Sequence, residues 1–365
     1  MHVVEELSPL LIRSRQGDYP VEFRATIGEL VERLLEVPEA VVVCDSNIAE
    51  LYAGELAPLF ADRPTRLVEA NEEAKSLAGV GELVQWLIDQ AAVRSTTVIA
   101  IGGGCIQDLV SFTTHIYFRG IRWLFVPTTV LSQADSCIGA KSGINVLPYK
   151  NQLGAMHSPR EVLISTEFLG TLPDIEVASG YGEIVKLSVT SSRHFLGDLQ
   201  AALAEGGLRN PHLLALTRAS LAAKQEIIEA DEYESDLRRV LNYGHTFGHA
   251  LEALGGHQIP HGLGVLWGID IINRLGVQWG LTDPQTTEEL AALITADFDY
   301  ELPISPSVED LLGMVGRDKK VSEGRIHFAV LRQPGDFIIE PRAIDAELGE
   351  QVAIALNESR VFTRA

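Results

Sequence analysis

The chain has 365 residues, 46% hydrophobic and 22% charged, with 29 Lys and Arg against 50 Asp and Glu and a formal net charge of −21. That length suits two domains, and the acidic balance argues against nucleic-acid or anionic-membrane partners, whose phosphates need basic surface. No apolar run reaches the roughly 20 residues of a membrane span, the start Met1-His-Val-Val-Glu-Glu lacks a signal-peptide build, and Cys44, Cys105 and Cys137 read as reduced core residues of a cytoplasmic protein.

In chain order, Ala40–Cys44 reads as a buried strand ending in Asp45-Ser46-Asn47, and a helix is predicted at Gly81–Ala92. Thr97–Ile101 is a second short strand, apolar after its first residue and rich in β-branched side chains. It runs into Gly102-Gly103-Gly104 and a helix start at Cys105–Val110. Strand, glycine turn and helix N-terminus make a diphosphate cradle, because glycines let the backbone approach and free N–H groups favour an anion. The triple glycine is not G-x-G-x-x-G, so alone it describes a tight turn in any α/β protein equally well. Trp123–Val126 ends in Pro127-Thr128-Thr129, a third polar strand end of the kind at which open α/β sheets bind ligands.

Strand-like runs alternate with helices up to about Leu172, and the pattern turns helical after Pro173. Asn210-Pro211 is expected to serve as N-cap and first residue of a helix through about Glu229. Helices around 238–253, 263–280 and 286–296 follow, then a strand pair, Arg325–Leu331 and Asp336–Ile339. The fold class is therefore α/β: a Rossmann-like nucleotide-binding domain over 1–173 and a mainly α-helical domain over 174–365.

The segment Leu241–Glu252 places His245 and His249 four residues apart on one helix face, with His261 just past a glycine-containing turn. Imidazole is a common ligand for zinc-like metals. Asn242, Tyr243 and Thr246 crowd polar groups there, while Gly244 and Gly248 leave room for a close approach. Thr246 stands where the H-E-x-x-H of zinc proteases needs its Glu, which excludes a peptidase. Arg119, Arg122, Lys141, Lys150, Lys186 and Lys224 recur in segments otherwise poor in charge, and Arg238 precedes the histidines. Isolated bases are ordinarily solvated, but several of these sit beside Gly, Asn or Ser in apolar surroundings, the pattern of a pocket for a small polyanion.

Taken together, Gly102-Gly-Gly…Asp108, Tyr117-Phe-Arg119-Gly120, Val126-Pro-Thr-Thr129, Asp135-Ser136…Gly139-Ala-Lys141-Ser-Gly-Ile-Asn145, Lys150-Asn151, Gly180-Tyr-Gly-Glu183-Ile-Val-Lys186, Asp231-Glu232-Tyr-Glu234, Leu237-Arg238, Leu241-Asn242-Tyr-Gly-His245-Thr-Phe-Gly-His249 and His261-Gly262 resemble the sugar phosphate cyclases. Within them the similarity is greatest to the 3-dehydroquinate synthase family, and it runs from Asp45 to Asp318-Lys-Lys320. The resemblance implies a cytoplasmic, homodimeric, phosphate-eliminating carbon–oxygen lyase that depends on NAD and a divalent metal, Zn or Co. Its substrate is a small phosphorylated sugar acid or sugar. One hydroxyl is transiently oxidised, phosphate leaves, the hydride returns and an aldol closure makes the carbocycle.

By the same resemblance the metal ligands are Glu183, His245 and His261, which displaces the pairing of His245 with His249 that spacing alone suggests. His249 and Asn242 then face the substrate phosphate with Lys141, Asn151, Lys186 and Arg119, the last reaching in from a neighbouring subunit. Lys224 and Arg238 hold a carboxylate, Asp135 and Lys150 meet hydroxyls or the nicotinamide end, and one of Lys319 and Lys320 touches substrate. The cofactor falls to Asp45, Asn47, Glu72, Lys75, Gly103, Gly104 and Asp108, with Thr128, Thr129, Phe168, Thr171, Leu172 and Glu176. Asp45 and Glu72 near a ribose favour NAD over NADP, whose 2′-phosphate they would repel.

Departures from the family pattern ring this pocket: Leu263, Gln107, the loop Val146-Leu-Pro-Tyr149, Tyr181, Ala140 and Asp236. They leave open a sister cyclase acting on sedoheptulose 7-phosphate (valiolone-type) or glucose 6-phosphate (2-deoxy-scyllo-inosose-type). A polyol dehydrogenase or a non-catalytic binder on the same fold is a further alternative, which the phosphate-type lysines disfavour.

Overall fold

The computed structural model describes residues 8–146, 149–256, 258–316, 321–322 and 325–359. The chain divides into two units, Met1–Leu172 and Pro173–Ala365.

The first unit opens with strands β1 (Leu10–Ile12) and β2 (Tyr19–Phe23), helix α1 (Ile27–Leu35), strand β3 (Ala40–Asp45) and helices α2 (Ser46–Leu51) and α3 (Ala53–Asp62). Strand β4 (Thr65–Val68), helix α4 (Leu77–Asp89), strand β5 (Thr97–Gly102), helix α5 (Gly104–Ile116) and strand β6 (Arg122–Pro127) continue the alternation. A hairpin of β7 (Lys141–Val146) and β8 (Tyr149–Met156) precedes strand β9 (Val162–Ile164). Seven strands form one sheet in the order β1-β2-β9-β6-β5-β3-β4, parallel except for the β1–β2 pair. All six residues of β5 are buried, as expected of a central parallel strand covered on both faces. On one face Val42, Cys44, Ile99, Ile101, Leu124 and Val126 belong to the same core as Leu30, Leu34, Leu56 and Leu59. Helix α4 starts before the predicted Gly81 because the Ser76 side chain accepts from Gly79 N and caps it there.

The second unit contains helices α6 (Asp174–Ser191), α7 (Arg193–Gly206), α8 (Leu213–Ala230), α9 (His245–Leu254), α10 (His261–Gln278), α11 (Pro284–Asp297) and α12 (Val308–Val315). Strands β10 (Val321–Ser322), β11 (Arg325–Gln333) and β12 (Asp336–Ala343) form an antiparallel sheet ahead of helix α13 (Ala346–Glu358). Two predicted elements differ. Helix α8 starts at Leu213 rather than at Pro211, because Asn210 serves a turn instead: it accepts from His212 N at 3.0 Å and donates to Tyr181 Oη at 2.8 Å and Gly207 O at 2.7 Å. The helix predicted around 238–253 is interrupted, since a 3₁₀ turn at Leu237–Asn242 ends and Gly244, at φ +78°, restarts the chain as α9.

Candidate active site

Glycines set the geometry of the second unit's helices. A Cβ on Gly262 would lie 1.7 Å from Ser179 O, and one on Gly182 would lie 2.2 Å from Gly262 O, so α6 and α10 touch backbone to backbone. Likewise a Cβ on Gly268 would lie 2.0 Å from Gly244 O, and one on Gly248 2.9 Å from Gly264 O, which binds α9 to α10. The room expected around Gly244 and Gly248 is thus filled by α10, not by a ligand.

This packing converges three side chains. Glu183, mid-way along α6 and 1% exposed, has its Oε1 3.2 Å from His261 Nε2 and 3.5 Å from His245 Nε2. Lys186, one turn on, is ion-paired to its other oxygen. The outer nitrogens of both rings are engaged: His245 Nδ1 lies 3.1 Å from Tyr243 O, and His261 Nδ1 lies 2.8 Å from Glu252 Oε1. A carbonyl can only accept, so His245 carries its proton on Nδ1 and presents a lone pair at Nε2. Burial alone would raise the Glu183 pKa, but Lys186 and then His245 outweigh it and hold the carboxylate ionised well below the ordinary range. Burial and Lys186 push His245 down, which keeps it neutral. At His261 burial pulls the same way, yet hydrogen bonds to Glu183 and Glu252 push its pKa up to about 10.

Neither oxygen of Glu183 accepts a hydrogen bond of good geometry, so the buried anion is compensated by the Lys186 charge and the facing imidazoles. One carboxylate and two Nε2 atoms facing a common point are the donor set of a three-ligand divalent site with an open position, at which His261 would give up its Nε2 proton on binding a metal. His249 stands at the rim, its ring 5.3 Å from that of His245 and 5.6 Å from that of His261. Ring nitrogens of the three histidines lie within 4.8 Å of one another, so distance alone also admits His249, which is exposed.

The loop before α9 is organised by Asp231. Its carboxylate accepts from Ser235 N (2.9 Å), Ser235 Oγ (2.8 Å), Asp236 N (2.7 Å) and Arg238 N (3.1 Å). Arg238 and Lys224 are 4% and 7% exposed, and the Arg238 guanidinium donates to Glu232 O. Asn242 Nδ2 donates to Glu234 Oε1 at 2.7 Å, with Glu234 in the left-handed region at φ +60°. Glu234 and Glu252 are polar members that sequence reasoning did not place. Glu252 follows His245 by seven residues, a helical same-face spacing that marks it in hindsight.

In the first unit, α5 begins at Gly104 with Gly103 as its cap and no side-chain oxygen satisfying the first N–H groups. A Cβ at Gly104 would meet nothing within 4 Å, so this end has the open, donor-rich form that takes a diphosphate. Beside it Lys75 Nζ lies 2.7 Å from Asp108 Oδ2, and Lys150 Nζ lies 2.9 Å from Glu72 Oε1. Glu72 also accepts from Asn145 Nδ2 at 2.7 Å. Burial disfavours charge on Lys75, but the Asp108 carboxylate wins and raises its pKa, whereas burial dominates at Asp108 and raises the carboxyl too.

Asp45 accepts from Asn47 N at 3.0 Å as the cap of α2. Thr128 N donates to Gly102 O at 3.1 Å, and Thr129 and Ser132 hydroxyls lie 2.9 Å apart. Asp135 sits in a π turn, Ser132–Ser136, a form often found at functional sites. Gln107 ties that turn to α5, donating to Ser136 O and accepting from Ser136 Oγ, both at 2.6 Å. Asn151, at φ +53°, presses against Gly143, where a Cβ would lie 2.4 Å from its Oδ1. Lys141 is exposed on the same hairpin.

Phe168 points into the core, its ring 5.1 Å from that of Tyr52, whose Oη donates to the Phe168 carbonyl at 3.0 Å. Tyr52 Oη also lies 2.9 Å from Thr171 Oγ1. Leu172 ends this unit, and Glu176 lies in the first turn of α6, its carboxyl raised by burial. Lys319 and Lys320 lie outside the described residues.

Residues 65–179 match the 3-dehydroquinate synthase N-terminal family model and residues 180–321 the C-terminal one. The 3-dehydroquinate synthase of Rhodospirillum rubrum is 36% identical over 354 residues, covering 90% of either chain. The chain belongs to the 3-dehydroquinate synthase family. A structure of 2-deoxy-scyllo-inosose synthase complexed with carbaglucose-6-phosphate, NAD+ and Co2+ aligns with TM-score 0.84 at 21% identity, covering 94% of this chain and 99% of that one. One of 2-epi-5-epi-valiolone synthase from Streptomyces hygroscopicus subsp. jinggangensis, with NAD+ and Zn2+ bound, aligns with TM-score 0.81 at 24% identity, covering 98% of each. Both share the fold of this family member, as the ordered motifs implied. No described helix is long and apolar enough to cross a membrane.

Proposed function

We propose that the chain is a 3-dehydroquinate synthase, an NAD- and divalent-metal-dependent lyase that converts 3-deoxy-D-arabino-heptulosonate 7-phosphate to 3-dehydroquinate and phosphate. The observation that carries this reading is Glu183, a buried carboxylate without a well-formed hydrogen bond, faced by the Nε2 atoms of His245 and His261. Those three would hold the metal, Zn or Co, with exposed His249 left for substrate. A metal there supplies Lewis acidity, and NAD at the α5 cradle supplies a reversible hydride acceptor.

The protein's own side chains do the rest. Lys141, Asn151, Lys186, Asn242 and His249 orient and neutralise the departing phosphate, helped by Arg119. Buried Arg238, with Lys224, holds the substrate carboxylate, for which a guanidinium fork is the suited partner. Asp135 and Lys150 position hydroxyls or the nicotinamide end, and one of Lys319 and Lys320 touches substrate. Asp45, Asn47, Glu72, Lys75, Gly103, Gly104, Asp108, Thr128, Thr129, Phe168, Thr171, Leu172 and Glu176 hold NAD.

Arg119 reaches into the site of a second copy, so the working form is a cytoplasmic homodimer. Support comes from the backbone: Phe118 and Arg119 both adopt positive φ, +51° and +64°, and strain of this kind is stored where function uses it. The deciding experiment is phosphate release from the seven-carbon keto-acid phosphate, run beside sedoheptulose 7-phosphate and glucose 6-phosphate. Turnover of either neutral sugar phosphate in preference to the keto acid would reassign the chain to a sister activity.

A further inference from the structure

At the amino-terminal edge of the first unit's parallel sheet lies a cavity of about 400 Å³. Arg94 precedes β5 by three residues, Arg122 opens β6, Arg160 precedes β9 by two residues, and all three line it with His157. Thr97 pairs with Arg122 and Gly102 with Pro127, so this edge and the glycine cradle are opposite ends of the same strands. Six residues of strand separate them by roughly 16–20 Å. The cavity is therefore a place apart from the nucleotide cradle.

Among the described residues lining it, none is acidic, in a chain with 50 acids and 29 Lys and Arg. Nearby carboxylates are committed elsewhere: Glu161 pairs with Arg33 at 2.8 Å and Glu22 with Arg24. The wall is also fastened in place. Gln16 Nε2 donates to Met156 O at 2.6 Å, its Oε1 accepts from Ser158 N at 3.1 Å, and the hydroxyls of Ser14 and Ser158 lie 3.1 Å apart. Arg122 is held over the floor by donating to Ser95 O. Gly17, beside the Arg160 guanidinium, takes φ +116°, a conformation that favours glycine.

Three arginines lining one concave space with no acidic residue among the described lining give it a positive charge, and their planar forks match phosphate and carboxylate oxygens. The volume falls in the range of small-molecule pockets, about 300–1,000 Å³. We propose that this cavity is a second ligand site, which binds a small anionic metabolite carrying phosphate or carboxylate groups, at the opposite end of the strands from the nucleotide cradle. It does not depend on which sugar phosphate the enzyme turns over.

The test is calorimetric titration of the metal- and NAD-loaded protein with fructose 1,6-bisphosphate, as a phosphate probe, and with tricarballylate, as a carboxylate probe. The expected result is a saturable event for at least one probe that weakens tenfold or more in Arg94→Ser/Arg160→Ser and persists in Lys141→Ala/His249→Ala. All four positions are exposed, melting curves without probe check that each variant folds, and Arg122→Ser serves as an independent replacement. The probe that binds more tightly identifies the anion class. An event equally strong in both double variants would overturn the site, as would one lost only in Lys141→Ala/His249→Ala, which would assign the anion to the substrate pocket. Dissociation of the oligomer in the arginine variant, with no change in anion binding, would show that the acidic surface of a second copy fills the cavity, and that too overturns the proposal.

Discussion

Glu252 Oε1 lies 2.8 Å from His261 Nδ1, and this contact turns His261 Nε2 toward Glu183. A carboxylate behind a ligating imidazole fixes the ring and raises its basicity, and its loss typically costs about 10- to 100-fold in metal affinity. Glu252→Gln is therefore expected to weaken divalent-metal binding by that factor while leaving the helical circular dichroism unchanged. Competition against a chromophoric chelator reads it directly. Unaltered affinity would remove Glu252 from any role at the site.

Removal of a ligand should act more severely. Glu183→Ala and His261→Ala are expected to purify without stoichiometric metal, and chelation of the wild type should abolish turnover, because a three-ligand site cannot spare a ligand. Elemental analysis alongside a phosphate-release assay checks both. Full activity in demonstrably metal-free protein would sink the assignment.

Cofactor behaviour separates a cyclase from a dehydrogenase on the same fold. With the true substrate, NAD should be required while reduced cofactor never exceeds the enzyme concentration, since oxidation and reduction fall within one turnover. Stoichiometric accumulation of NADH at 340 nm, about one per product, would point to a polyol dehydrogenase.

Arg238 distinguishes the candidate substrates. If the substrate carries a carboxylate, Arg238→Ala leaves a buried anion poorly compensated, an expected loss of about 2–5 kcal/mol, or roughly 30- to several-thousand-fold in kcat/KM. Lys224→Ala acts on the same group and should combine non-additively with it. The measurement is the ratio of activities on keto-acid and neutral sugar phosphates before and after mutation. A wild-type preference for sedoheptulose 7-phosphate that survives Arg238→Ala would overturn the proposed substrate.

Asp231 predicts a pH dependence. Burial opposes its charge, but donors from Asp236, Ser235 and Arg238 outweigh that and hold its pKa below the ordinary Asp value. A depressed folded pKa stabilises the protein above the unfolded value, about 3.9, and that stabilisation is lost as pH falls through the folded one. The stability gap between wild type and Asp231→Asn should accordingly be constant from neutral pH to about pH 4 and shrink below it. Denaturant titrations over that range test this, and a gap still undiminished at the lowest pH where the protein folds would refute it.

Much of this was legible in the residues. The apolar β-branched runs at 40–44 and 97–101 found their strands because a central parallel strand is buried on both faces. The ordered motifs carried the family and fold. Local pattern failed where a tertiary partner decided. Asn210 looked like a helix cap, yet Tyr181, 29 residues away, takes its amide. The residues 238–253 looked like one helix, but Gly244 bends to admit the backbone of α10. Glu252 escaped notice because its partner, His261, follows only after the chain reverses.

Where glycines bring the backbone of α10 against α6 and α9, no side chain stands between the chains to repack and let one helix slide along another. The spacing of Glu183, His245 and His261 is consequently locked by the main chain itself. On the loop that follows Asp231, Tyr233 and Leu237 are exposed and belong to no such seam, whereas buried Asp231 and Arg238 hold the loop together. Redesign of what the enzyme accepts should begin at those two exposed positions, which can change shape and charge while the helical cage behind them keeps its dimensions.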